Sequence, residues 1–173
     1  MIKKLFLSVI VVLFTSSIFA QGNFNKGDKA LNIGIGIGDA YGYGFSVIPA
    51  FNGSFEAGIV DIPNVGVIGV GGFVGTKINP QTNVVYVHSV VSGRAAFHFQ
   101  FFDTGDFDLY AGLGTGLEFW NANFDYDPYD YSGSGLFWEE FAGARWMKND
   151  KFGFFAEVGY GVSFLKAGIT LKL

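Results

Sequence analysis

The sequence has no cysteine and only 4 prolines in 173 residues. The first absence excludes a disulfide framework, a thiolate metal site and a thiol nucleophile. The second, beside 26 glycines, is unlike a proline- and glycine-rich linker. Positive charge is also scarce, with 11 Lys and Arg against 15 Asp and Glu. A nucleic-acid partner needs a basic surface and is excluded by that balance. Beyond the N-terminal segment no run of 18 apolar residues occurs, so no transmembrane helix is expected. The glycines match neither the dinucleotide nor the P-loop spacing, which removes nucleotide binding. No stretch shows a helical stripe.

What is present begins with a leader. Lys3 and Lys4 precede an apolar run from Leu5 to Phe14, and Ala20 is followed by polar Gln21 and Asn23. This is the plan of a secretory signal peptide over residues 1–20, cleaved after Ala20. The apolar run falls short of the ~20 residues of a helical span. No cysteine follows it to carry a lipid anchor. Residues 21–29 are read as a short periplasmic segment and 30–173 as one domain. Without Lys3 and Lys4 the chain keeps 9 basic and 15 acidic residues, a net charge of −6.

Within that domain the dominant signal has period two, the mark of half-buried strands. Leu31, Ile33, Ile35 and Ile37 alternate with Asn32, Gly34, Gly36 and Gly38. Phe107, Leu109, Ala111, Leu113, Leu117 and Phe119 alternate with Asp108, Tyr110, Gly112, Gly114, Gly116 and Glu118. Eight strands are predicted, near residues 31–38, 47–59, 66–76, 84–99, 107–119, 136–147, 152–160 and 165–173. The third is too rich in Gly and Val for its faces to be assigned. The sixth places Glu140 outward, an uncomfortable position. Many of these strands suit the ~9–11 residues of a tilted membrane crossing better than the ~5–6 of soluble strands. Longer loops are expected at residues 39–44, 79–83 and 121–133, alternating with short turns at 61–64, 103–106 and 148–151. The fold class that follows is an all-β, eight-stranded, antiparallel transmembrane up-and-down barrel.

Residues 66–76, Gly143-Ala144-Arg145-Trp146, and the closing alternations at 155–161 and 166–173 carry a resemblance. The chain resembles the small eight-stranded outer-membrane barrels of the OmpA/OmpX type, the "outer membrane protein β-barrel domain". The resemblance implies an outer-membrane address and contact with outer-membrane lipid and lipopolysaccharide. It also implies passage through the barrel-assembly machinery, although Leu173 stands where that family usually ends in an aromatic residue.

The inward faces hold Glu56, Glu118, Glu139 and Glu157 with Arg94, Arg145 and Lys166. An eight-stranded interior is just wide enough for side chains to fill, so these charges are expected to pair as a plug. That reading is a filled barrel rather than a porin, with no enzyme activity and no cofactor. Histidines number 2, His88 and His98, and both are read as packed interior residues. A lipid A-modifying hydrolase would use His88 with Ser89 or Ser92 and Glu118, but adjacent strand residues point to opposite faces. Asp125, Tyr126, Asp127, Tyr129, Asp130 and Tyr131 form an acidic, aromatic candidate contact loop. Its carboxylates could take Ca²⁺, though the spacing fits no EF-hand. The alternative fold reading is a soluble exported lipocalin-like barrel, whose apolar side chains would face a ligand inside. No ligand follows from the sequence.

Overall fold

The computed structural model describes residues 24–38, 48–100, 106–124 and 131–173. Eight strands follow one another in chain order: β1 Lys29–Ile37, β2 Ala50–Ile62, β3 Gly66–Gln81, β4 Val84–Phe99, β5 Phe107–Phe124, β6 Tyr131–Met147, β7 Phe152–Tyr160 and β8 Leu165–Lys172. Each pairs antiparallel with its neighbour, and β1 pairs with β8, so the sheet closes. Closure leaves every backbone donor and acceptor of a lipid-facing strand inside the ladder.

The register fixes the tilt. Successive partners lead from Leu109 through Ala144, Ala156, Ala167, Ile35, Phe51, Thr76 and Ser89 back to β5 at Phe119. One circuit thus climbs the ten residues from Leu109 to Phe119, a stagger that inclines the strands to the barrel axis.

Alternation then sorts side chains between two solvents. Ile33, Ile35, Phe55, Val74, Leu113, Leu136, Val158 and Ile169 are exposed on the outside. Asn32, Ser54, Glu56, Arg94, His98, Glu139, Arg145 and Lys166 are buried inside. This arrangement is the reverse of a lipocalin. Aromatic side chains band the outer wall at the end where β1 begins and β8 finishes, where Phe107 packs on Trp146 and Trp146 on Phe154. Towards the other end Trp138 stacks on Tyr160 with ring centroids 4.6 Å apart.

Strand lengths divide the barrel into a tall and a low side. β3 to β6 have 16 to 18 residues, whereas β1, β7 and β8 have 8 or 9. Two expectations fail here. Residues 79–83 are not a plain loop: Gln81 pairs with Val84, and only Thr82 and Asn83 turn the chain. Asn83 adopts φ 67°, a left-handed value asparagine tolerates. The following Val84, Val85 and Val87 favour strand, so the ladder runs to the tip. Likewise 121–133 is shorter than expected as a loop, because Ala122 pairs with Tyr131. β3 also acquires faces, with Val67, Phe73 and Lys77 buried inside and Val70 and Val74 exposed. In β2 the register shifts between Gly58 and Val60, leaving Ile59 and Val60 both exposed. The expected leader at 1–20 and most of the turn at 103–106 lie outside the described residues.

Candidate functional site

The lumen is the site, and it is built in layers. Nearest the start of β1, four side chains close a square. His98 Nδ1 lies 2.8 Å from Asp108 Oδ1, and its Nε2 lies 2.7 Å from Glu56 Oε1. Arg145 donates from Nη1 to Asp108 Oδ2 at 2.9 Å and from Nη2 to Glu56 Oε2. Each carboxylate therefore gives one oxygen to His98 and the other to Arg145. Both ring nitrogens face carboxylate oxygens, an arrangement that an imidazolium satisfies by donating from each. In that form the square holds two positive and two negative groups. Arg145 Nε also reaches Asn32, which donates to Ser54 Oγ at 3.1 Å.

A second cluster lies further along the axis. Arg94 Nη2 donates to Glu157 Oε2 at 3.2 Å, and Lys166 Nζ stands 3.1 Å from the same oxygen. Glu139 is held more loosely, 3.7 Å from Arg94 Nε and 3.6 Å from Lys166 Nζ, with a closer hydrogen bond from Ser92 Oγ at 3.0 Å. Two acids and two bases balance. Tyr110 joins the layers: its hydroxyl donates to Glu157 Oε1 at 3.0 Å, and its ring lies 4.4 Å under the Arg145 guanidinium.

Glycine makes room for these long side chains. A Cβ on Gly114 would stand 2.7 Å from Glu139 Oε1, and one on Gly143 would stand 2.7 Å from the Tyr110 ring. A Cβ on Gly69 would collide with the Glu56 carboxylate. The inward glycines are thus the seats of the charges across from them.

Apolar groups close the layers from both sides. Phe24 is 3% exposed and stacks on His98 at a centroid distance of 4.0 Å. Its segment is tied down by Gln100 Nε2 donating to Phe24 O, by Gly27 N donating to Gly58 O, and by Gly58 N donating to Asp28 O. Beyond the second cluster, Ala50, Phe73, Val90, Phe137 and Val162 form a buried apolar layer. Arg94 lies 3.6 Å over the Phe141 ring, so even the cation is packed against aromatic faces.

No protein-family model and no curated protein matches the sequence. Among solved structures, the attachment invasion locus protein Ail of Yersinia pestis is 15% identical, with a TM-score of 0.52 over 86% of this chain and 96% of that one. Ail in complex with the heparin analogue sucrose octasulfate aligns at 16% identity and a TM-score of 0.54, over 86% and 96%. The N-terminal β-barrel domain of Pseudomonas aeruginosa OprF is 14% identical, with a TM-score of 0.52 over 84% and 96%. The fold is that of the small eight-stranded outer-membrane β-barrels. At such identities the likeness concerns the fold alone.

Against this barrel the expected site residues fare unequally. Glu56, Arg94, Glu139, Arg145, Glu157 and Lys166 all enter the buried network. Glu118 does not: it is on the inward register but only half-buried, and it forms no ion pair among the described residues. It lies beyond the apolar layer, opposite Gly135 rather than a cation. His98 and Asp108 belong to the network although only their strand faces were anticipated. Ser89 and His88 point to opposite faces as expected, and Ser92 gives its hydroxyl to Glu139. Of the acidic contact loop, Asp125, Tyr126, Asp127, Tyr129 and Asp130 lie outside the described residues. Tyr131 is exposed and packs edge-on against Phe124.

Proposed function

We propose that the chain is a non-enzymatic protein of an outer membrane, exported by a leader cleaved after Ala20, with a filled interior and a surface role on its tall side. The observation that carries this reading is the pairing of a charge-packed, layered lumen with an apolar outer wall. Lipid and lipopolysaccharide would surround that wall, and the assembly machinery would meet β8. His88 and Ser89 point to opposite faces and the Ser92 hydroxyl is given to Glu139, which argues against a serine–histidine hydrolase built on them.

The surface role rests on β3 to β6. Their 16 to 18 residues carry this side of the wall beyond the rim of the low strands, so it is the part offered to a partner. The heparin analogue in complex with Ail is a polyanion, whereas the sequence between β5 and β6 carries Asp125, Asp127 and Asp130. A sulfated glycan is therefore an unfavourable ligand here.

Planar-bilayer recording tests the filled interior. The purified protein should insert without discrete conductance steps, while Phe73→Ala combined with Phe137→Ala should admit ions. Steady single-channel steps from the unaltered protein would overturn the reading.

A further inference from the structure

Glu140 is the only ionisable side chain on the outer face between the aromatic residues Trp138 and Trp146 of β6, and it is exposed there. At matching levels the outward residues of β4, β5, β7 and β8, such as Val91, Leu113, Val158 and Ile169, are uncharged. Glu140 forms no hydrogen bond or ion pair among the described residues. It cannot turn inward, because Glu139 and Phe141 already occupy the lumen. Its position is two residues from Trp138, about 7 Å along the strand. Trp138 and Tyr160 mark the interfacial aromatic level, so the carboxylate sits just inside the apolar band.

Beside it the wall is recessed. Ala95, Ala111 and Ala142 floor a groove of about 700 Å³ between the taller Leu113 and Val158, with Glu140 at its lip. Alanine at the floor and branched side chains at the edges leave a trough with walls suited to methylene groups. A carboxylate in that setting is costly unless a cation with N–H donors meets it. A second copy of this chain has no cation on the described part of its apolar band to supply one.

We propose that this groove seats an acyl chain of a lipid whose headgroup carries a primary ammonium, with the Glu140 carboxylate accepting from that ammonium. The inference rests on the outer wall facing lipid. The apolar trough takes the chain, and the carboxylate, close beneath the interfacial aromatics, lies within reach of the headgroup. A phosphocholine headgroup has the same positive charge but no N–H to donate, so the site discriminates between the two.

Trp138 reports on the site directly. A single-tryptophan protein (Trp120→Phe, Trp146→Phe) is reconstituted in phosphatidylcholine vesicles containing equal fractions of chain-brominated phosphatidylethanolamine or chain-brominated phosphatidylcholine. Brominated phosphatidylethanolamine should be favoured about two- to fivefold in quenching Trp138, the range of an exposed ion pair. Glu140→Gln should abolish the preference while retaining the heat-modifiable gel mobility of a folded barrel. Equal quenching by both lipids, or a preference that survives Glu140→Gln, overturns the proposal. A photo-crosslinker at Ala142 that captures a polypeptide rather than lipid in cells also overturns it. Absence of quenching by either lipid in a folded protein would instead refute the lipid-facing reading of the wall.

Discussion

His98 and Asp108 meet at 2.8 Å from neighbouring strands, but the carboxylate on the other side of the ring, Glu56, comes from β2 across the lumen. Through Glu56 the square is thus a cross-brace from β2 to β4 and β6, with which β2 shares no backbone hydrogen bonds. Replacing His98 by Ala leaves Glu56 and Asp108 with one cation between them. Loss of one partner from a buried ionic group costs about 3–5 kcal/mol. The urea midpoint of the refolded barrel in vesicles should fall accordingly, and an unchanged midpoint contradicts the closed square.

Gly143 tests the seating of the charges. Its substitution by Ala drives a methyl into Tyr110 and the Glu157 side chain, both within 2.8 Å of the new atom. Overpacking of this kind costs about 1–3 kcal/mol. Gly53, where an added Cβ meets nothing closer than 3.5 Å, is the control and should tolerate Ala with a much smaller loss. Equal effects at the two positions would separate the glycines from the network.

Phe24 is predicted to stopper one mouth without deciding conductance. Phe24→Ala should expose the lower lumen, so that a thiol placed at buried Ala30 reacts markedly faster with a water-soluble maleimide. Bilayer recordings should stay silent, because the Phe73 and Phe137 layer is untouched. Unchanged labelling would show that the segment does not close the mouth.

Asn83 at φ 67° holds the tip of the long β3–β4 hairpin. Asn83→Ala forces a side chain without local hydrogen bonding into the left-handed region, at about 1–2 kcal/mol, while Asn83→Gly should be close to neutral. Amide exchange at Gln81 and Val84 reads the difference locally, with faster exchange expected in the Ala variant alone.

Much of this architecture was legible from residue alternation, and the reason is physical. A barrel in lipid separates its side chains between two media, so Ile33, Ile35 and Ile37 declare one face and Asn32 the other. Length told less. The tip at Asn83 read as a loop because Pro80 and Asn83 are turn-prone, yet the ladder carries Pro80 opposite Val85 and turns only at Thr82 and Asn83. β3 resisted assignment because glycine lies on both faces. Within the lumen, parity identified which charges point inward but not which meet. The Glu56–His98 contact joins β2 and β4, and the Arg94–Glu157 contact joins β4 and β7. Such pairs depend on the stagger of the whole barrel, which no single strand encodes. Glu118 failed for the same reason, being inward but one layer too far along the axis.

A closed barrel with a packed lumen and a lipid-facing wall can be checked without any substitution. Gel mobility of the membrane-extracted protein, with and without boiling in SDS, tests it most directly. A sheet with no open edge resists cold SDS, so the unheated lane should show a faster-running band that shifts on boiling. A protein recovered soluble from the periplasm, with identical mobility in both lanes, would contradict the account.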